Sequence, residues 1–161
     1  MNFTTAALCD AHSDGNHFQI AEPLLQAYGG QARFCGQITT IKVFEDDALI
    51  KAVLQEHVEN RVLVIDGGGS HRCALLDADS AKLAVANGWQ GLVIHGCIRD
   101  SALINQLPIG IRALHTHPLK SHKKDPGDRD LLITFAGINF KQNHFLYADD
   151  DGIIVSETLL G

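Results

Sequence analysis

The sequence predicts a single α/β domain, in which buried parallel strands alternate with helices and antiparallel strands follow toward the C-terminus. The chain has 161 residues, a length typical of one domain. Fully apolar runs, such as residues 62–65 and 92–94, are typical of strands that are covered on both faces. Segments with helical spacing of apolar residues separate these runs, and no repeat or long linker interrupts them.

Capping residues and glycine breaks define the elements of the first half. Asp46 or Asp47 can cap a helix, because short polar side chains accept hydrogen bonds from the first backbone amides. Three glycines at residues 67–69 end the first buried strand. The predicted elements are a helix from Thr4 or Thr5 to Ala11, a β-rich stretch over residues 33–44 after the Gly29-Gly30 break, a helix over residues 48–57 and a strand over Arg61–Asp66.

The second half continues this alternation and ends in strands. Asp79 and Ser80 can cap a helix over residues 80–87, and Gly88 can end it with a left-handed backbone. Short apolar runs next to turn residues predict the remaining strands. These are residues 92–95, closed by Gly96, and residues 109–114, 131–135, 145–147 and 152–155, the last two flanking an acidic turn at residues 149–151.

Composition limits the classes of function. The chain has 13 Lys and Arg against 19 Asp and Glu, a formal net charge of −6, which argues against direct binding of nucleic acid. No apolar run is long enough to span a membrane, and the N-terminus lacks a signal region. We therefore expect a cytoplasmic protein without a membrane partner. The four cysteines lack metal-binding spacing and are predicted to be reduced and mostly buried.

Arg99 and Asp100 are the first candidates for chemistry. They follow a buried strand and a glycine turn, and ligands of α/β proteins lie beyond the carboxyl ends of strands. The planar guanidinium of Arg99 suits a carboxylate, and Asp100 offers an oxygen ligand for a cation such as Mg²⁺. The alternative is a surface ion pair at the start of a helix at Ser101.

A second candidate site lies at the start of the predicted helix over residues 80–87. It consists of Asp77, Ala78, Asp79 and Ser80. The free amides there and the positive end of the helix dipole predict an anion site. Plain capping by Asp79 and Ser80 is the alternative. The carboxylates of Asp77 and Asp79 would oppose an anionic ligand unless a metal ion or Arg99 balanced them.

Two further segments carry weaker signals. Gly67-Gly68-Gly69-Ser70 lacks the spacing of a phosphate loop and predicts a tight turn. Residues 115–124 contain His115 and His117, whose rings would share one face of a strand and can bind zinc, although no third ligand has a firm spacing. A solvated, mobile basic loop or an anion gate are the alternatives there. No nucleophile elbow supports catalysis by a Ser-His-Asp or Cys-His arrangement.

Residues 62–100, VLVIDGGGSHRCALLDADSAKLAVANGWQGLVIHGCIRD, resemble the RraA-like family. That family includes regulators of ribonuclease E activity and class II 4-hydroxy-4-methyl-2-oxoglutarate aldolases. Other matching pieces follow in order along nearly the whole chain, among them residues 22–24, 36–40, 109–114, 135–137 and 146–153. The resemblance implies a three-layer β/β/α swivelling-type sandwich over residues 1–161. It also implies a homotrimer with sites at subunit boundaries.

The aldolase branch of the family carries a sequence motif. It begins with a glycine, which is followed after twenty residues by Arg-Asp and, after two more residues, by Glu or Asp. Arg99 and Asp100 match its centre, whereas Ala78 and Leu103 stand at the glycine and final acid positions. The regulator branch resembles this chain at Asp77-Ala78 but tends to lack the Asp after Arg. The chain therefore mixes both signatures.

The resemblance implies two functions. As a lyase, the chain would hold Mg²⁺ or Mn²⁺ at Asp100 and bind a 2-oxo acid through Arg99 and the backbone of residues 77–80. It would cleave 4-hydroxy-4-methyl-2-oxoglutarate to pyruvate and decarboxylate oxaloacetate through the same pyruvate enolate. As a regulator, it would be a non-catalytic inhibitor of ribonuclease E that acts by protein–protein binding.

Overall fold

The computed structural model describes residues 2–15 and 17–160. Its helices are α1 (Thr5–His12), α2 (Ala48–Leu54), α3 (Ala78–Ala86) and α4 (Ser101–Ile104). Its strands are β1 (Phe18–Ile20), β2 (Gln26–Tyr28), β3 (Phe34–Lys42), β4 (Arg61–Asp66), β5 (Ala74–Leu76), β6 (Trp89–Ile98), β7 (Gly110–Thr116), β8 (Asp128–Arg129), β9 (Ile133–Phe135), β10 (Ile138–Phe140), β11 (Phe145–Asp149) and β12 (Gly152–Ser156).

One large mixed sheet organises the chain, with the strand order β1-β12-β11-β3-β4-β6-β7-β2. Strands β3, β4, β6 and β7 run parallel at its centre. Antiparallel strands extend it on both sides, and β5 and β8 pair with β6 and β3. Strands β9 and β10 form a separate hairpin. The predicted α/β class with a substantial antiparallel part is confirmed.

Strands β4 and β6 are covered on both faces, which explains the apolar runs at residues 62–65 and 92–94. In β4, Leu63 and Ile65 join the core beneath the helices, whereas Val62 and Val64 join a second core beneath the β9–β10 hairpin. All four side chains are fully buried. The helices and the hairpin therefore lie on opposite faces of the sheet.

The helix after β5 begins earlier than the sequence predicts. Asp77 is the N-cap of α3, and its carboxylate accepts a hydrogen bond of 2.9 Å from the Ser80 N–H. Asp79 and Ser80, the predicted caps, therefore lie inside the first turn. Helix α2 ends at Leu54 and not at residue 57, because the amides of the next residues turn back to carbonyls only three positions earlier, which tightens the last turn.

Strand β6 continues through Gly96, which was predicted to close it. It reaches Ile98 because β5 and β7 provide pairing partners for Cys97 and Ile98 on either side. A Cβ atom at Gly96 would lie 2.9 Å from the Leu75 side chain, so glycine leaves the space that Leu75 occupies beside β6. The carboxyl end of β6 thus lies three positions beyond the predicted one.

The predicted acidic turn is shorter, because Asp149 belongs to β11 and is buried. Its carboxylate accepts hydrogen bonds from the N–H and hydroxyl of Thr5, at 2.7 Å and 2.6 Å. Burial acts to raise the pKa of Asp149. The hydrogen bonds from Thr5, Asp151 and Gly152 outweigh it, so the pKa lies below its ordinary value. Asp149 therefore holds the start of α1, which Thr4 caps as predicted.

Several other predictions have clear outcomes. Gly68 and Gly69 have φ angles of +69° and +72°, which confirms a tight turn after β4. None of the four cysteines forms a disulfide, and Cys73 and Cys97 are buried. Within the described residues, no helix combines the length and the apolar character needed to cross a membrane.

Candidate functional site

The carboxyl ends of β5 and β6 bring the main candidate residues together. The two strands are parallel neighbours, with Leu76 opposite Ile98. The backbone N–H of Arg99 donates to the carbonyl of Leu76 at 2.9 Å. Arg99 therefore emerges beside Asp77, at the N-terminus of α3, as residues that follow adjacent parallel strands should.

Asp100 links two helices at this point. Its Oδ2 atom accepts a hydrogen bond of 3.0 Å from the N–H of Ala78, the first residue of α3. Asp100 also precedes α4, with a left-handed backbone at φ 59° and ψ 36° and without capping α4 through its side chain. Asp tolerates this conformation better than most residues. The helix expected at Ser101 is present. The alternative of a surface ion pair at its start is not observed, because neither Arg99 nor Asp100 forms an ion pair with a described residue.

The N-terminus of α3 offers fewer free amides than its sequence indicates. The Ala78 N–H binds Asp100, and the Ser80 N–H binds Asp77. Among the described residues, the Asp79 N–H has no acceptor. One amide of this turn, that of Asp79, is therefore open to a ligand. The amide of Ala78 instead holds the Asp100 carboxylate in place.

The charges around this site are mainly negative. Asp77, Asp79 and Asp100 contribute three carboxylates, and Arg99 contributes one guanidinium. The half-buried Arg99 side chain has no hydrogen bond or ion pair with any described residue. An anionic ligand would need a cation in addition to Arg99, because like charges at close range repel.

The residues present fit a loosely held hard cation. Within residues 2–15 and 17–160, no three His, Cys, Asp or Glu side chains converge as a metal-binding group. Mg²⁺ commonly takes only one or two protein carboxylates and keeps several waters. Asp100 is exposed, and one of its oxygens accepts the Ala78 N–H, so the other is open to such an ion.

Leu103 stands where the aldolase pattern has an acid. It lies on α4, three residues after Asp100, and is 53% exposed. An exposed leucine there adds an apolar contact point and no charge to the rim of the site.

A second polar cluster was not predicted. The buried carboxylate of Glu45 accepts hydrogen bonds of 2.6 Å each from the Ser70 hydroxyl, the Arg72 Nε and the Lys124 Nζ. The hydrogen bond from Arg72, followed by those from Lys124 and Ser70, lowers the pKa of Glu45 to about 2. The partners come from distant parts of the chain, so no local pattern could reveal them.

This cluster corrects the expectation of a freely solvated loop at residues 115–124. Most of these side chains are exposed, but the segment is anchored at both ends. The Leu119 carbonyl accepts from the Ala74 N–H at 2.7 Å, and the Lys124 N–H donates to Asp46 at 2.6 Å. His115 lies near the end of β7, and its ring contacts that of His71, a neighbour that the spacing between His115 and His117 did not predict.

Comparisons with known proteins give one consistent family. The sequence model described as RraA-like: Aldolase/RraA matches residues 5–155. A Methylococcus capsulatus protein named "Putative 4-hydroxy-4-methyl-2-oxoglutarate aldolase" is 59% identical over 160 residues, which are 99% of each chain.

Two solved structures are similar over almost their full length, each with a TM-score of 0.94. One is the S-adenosylmethionine:2-dimethylmenaquinone methyltransferase from Geobacillus kaustophilus HTA426, 43% identical, with 98% of this chain and 97% of that chain covered. The other is the RNA-processing inhibitor RraA from Thermus thermophilis, 37% identical, with 100% and 96% covered.

Proposed function

The chain belongs to the RraA-like family, and on that premise we propose that it is a metal-dependent lyase acting in the cytoplasm. Its substrate would be 4-hydroxy-4-methyl-2-oxoglutarate, cleaved to two molecules of pyruvate. The observation that carries the proposal is the pair formed by Arg99 and Asp100. The guanidinium has no partner among the described residues, and beside it the Asp100 carboxylate is fixed by the Ala78 amide.

The reaction breaks one carbon–carbon bond. The C4 hydroxyl loses its proton, the C3–C4 bond breaks, and its electrons pass to C3 of the departing pyruvate enolate. The former C4 becomes the carbonyl of one pyruvate, and a proton added to C3 yields the second. Oxaloacetate would form the same enolate on losing CO₂, so one site can perform both reactions.

The divalent cation, Mg²⁺ or Mn²⁺, would stabilise the negative charge that develops on the 2-oxo group. Asp100 would hold it through the carboxylate oxygen that does not bind Ala78. Arg99 would hold the substrate carboxylate and the developing enolate oxygen through its planar donors, which is electrostatic stabilisation of the transition state. The Asp79 amide would add one donor. Asp77 and Ser80 would keep the turn in place, and water would carry the protons.

We also propose a homotrimer with this site at a subunit boundary. The resemblance to the family carries this proposal, and several large apolar side chains that are exposed in the single chain would be available for burial against a second copy. They are Ile20, Leu24, Phe44, Leu103, Leu119, Leu131, Leu132 and Leu159. Light scattering after size exclusion tests this. A trimer gives three times the chain mass, and a particle of 17.5 kDa contradicts it.

The lyase proposal is tested by following pyruvate release from both substrates with Mg²⁺, with Mn²⁺ and with chelator. We expect turnover that chelator abolishes and that Arg99→Lys lowers sharply, because an ammonium group lacks the planar fork of donors. Arg33→Lys is a matched control away from this turn. Absence of metal-dependent turnover of either substrate contradicts the proposal.

The second candidate is a protein inhibitor of ribonuclease E. It is favoured by the exposed Leu103 in place of an acid and by the likeness to the RNA-processing inhibitor RraA. Binding to purified ribonuclease E, with and without chelator, separates the two. Metal-independent binding that survives Asp100→Ala, in a protein without lyase activity, supports the regulator.

A further inference from the structure

The imidazole rings of His71 and His115 lie in contact although they belong to separate segments. His71 follows the glycine turn after β4, and His115 lies near the end of β7. Their ring centroids are 5.2 Å apart, and the ring planes are tilted by 41°. Both residues are exposed, and neither ring has a hydrogen-bond or ion-pair partner among the described residues.

We propose that His71 and His115 together chelate a borderline divalent metal ion such as Cu²⁺, Ni²⁺ or Zn²⁺. A metal ion about 2.0–2.1 Å from one nitrogen of each ring lies about 3.2 Å from each ring centroid. A tetrahedral angle at the metal, which Zn²⁺ prefers, then separates the two centroids by about 5.2 Å, whereas the right angle of a tetragonal Cu²⁺ or Ni²⁺ site separates them by about 4.5 Å. The separation of the ring centroids in the structure, 5.2 Å, has the tetrahedral value.

The neighbouring side chains limit the site to two protein ligands. Cys97 is opposite His115 in the sheet, but its thiol is buried and donates to the Ser70 carbonyl at 3.7 Å. Burial also raises the pKa of the Cys97 thiol, which keeps it protonated. The Nδ1 of His117 accepts the Leu119 N–H at 3.1 Å. Water would therefore complete the coordination, in line with the absence of a three-residue group among the described residues.

Two imidazole nitrogens define the metal that this site prefers. Nitrogen ligands bind divalent ions most tightly at Cu²⁺, followed by Ni²⁺ and Zn²⁺, and they suit the hard ion Mg²⁺ poorly. The bound ion would tie the segment after the glycine turn to the end of β7. Its ligands differ from Asp100, so the pair can be varied separately from the proposed lyase centre.

The experiment is calorimetric titration of the full chain, without a polyhistidine tag, with Cu²⁺, Ni²⁺, Zn²⁺ and Mg²⁺ separately. We expect one tight equivalent of each transition metal per chain that depends on His71 and His115. Mg²⁺, which would bind at Asp100, should bind the wild type and the two histidine variants alike. His71→Ala and His115→Ala should each lower the affinity at least tenfold. His57→Ala, which removes an exposed histidine after α2, is the matched control and should bind normally.

Electron paramagnetic resonance of the Cu²⁺ complex gives a second reading. Coupling to two imidazole nitrogens in the wild type, and to one in each single variant, supports the pair. Imidazole-coordinated Cu²⁺ that survives in the double variant His71→Ala/His115→Ala with unchanged affinity, or that is lost in His57→Ala, overturns the proposal. Mg²⁺-dependent lyase activity should be unchanged in the His71 and His115 variants, so failure of one proposal is separable from failure of the other.

Discussion

Replacement of Asp100 separates its structural role from its proposed metal-binding role. Asp100→Asn keeps an oxygen that can accept the Ala78 N–H, and Asn tolerates the left-handed backbone at φ 59°. Asp100→Ala loses the acceptor and places a less tolerant residue at that backbone angle. Both variants lose the carboxylate. A capping role alone therefore predicts different behaviour for the two variants, whereas metal binding predicts the same loss of activity.

The structure sets the size of each effect. Loss of a helix-capping acceptor costs about 0.5–2 kcal/mol, and a left-handed alanine adds about 1–2 kcal/mol. Asp100→Ala should therefore lose about 1.5–4 kcal/mol of unfolding free energy, or about 3–16 °C in Tm. Asp100→Asn loses mainly the charge near a helix N-terminus, about 0.3–1 kcal/mol. Both should lose lyase activity by at least about 10²–10³-fold.

The assay combines thermal unfolding at one protein concentration with metal-dependent oxaloacetate decarboxylation. Asp14→Asn is the matched control, because it removes an exposed carboxylate that is distant from Asp100 in the sequence. It should change neither Tm nor the decarboxylation rate. If Asp100→Asn keeps wild-type turnover and metal dependence, Asp100 is not the metal ligand. If both variants lose activity and their free energies of unfolding fall by the same amount, the hydrogen bond from the Ala78 N–H to Asp100 does not stabilise the fold as described.

Three other substitutions test separate parts of the structure. Leu103→Glu should raise kcat for oxaloacetate decarboxylation with little change in KM, and an unchanged rate would mean that another residue already supplies this acid. Glu45→Gln should lower Tm near neutral pH. Because the pKa of Glu45 is lowered from 4.5 to about 2, the difference from wild type should be complete above pH 4.5 and shrink as pH falls toward 2; a constant difference contradicts this. Gly110→Ala would place a Cβ 2.0 Å from the Phe34 ring and should lower the free energy of unfolding by about 1–3 kcal/mol, seen as a lower urea midpoint; an unchanged midpoint would refute this.

The sequence predicted β4 and the middle of β6 well because residues 62–65 and 92–94 are apolar on both faces of the sheet. The bounds of β4, Arg61–Asp66, agree with the predicted strand. The edge strands β1 and β2 were missed, since each has only three residues and is at least partly exposed. Short, half-exposed strands have no distinct hydrophobic period, and their pairing partners determine them.

The sequence predicted which residues form the candidate site, but it did not predict the hydrogen bonds between them. The end of a predicted strand pointed to Arg99 and Asp100, and the start of a predicted helix pointed to Asp77. The structure brings their backbones together, because the unpredicted strand β5 pairs with β6. The hydrogen bond from Ala78 to Asp100 joins positions 22 apart, and no local spacing rule includes it. Such contacts depend on the tertiary structure.

The order of strands also has a consequence for biosynthesis. Strand β3 pairs with β4 soon after both leave the ribosome, but its other edge waits for β11, about a hundred residues later. Until then the nascent chain presents an open strand edge, a template for aggregation. Translation that stalls before Phe145 should therefore yield insoluble fragments, and chaperones that cover strand edges should matter most during the last third of synthesis.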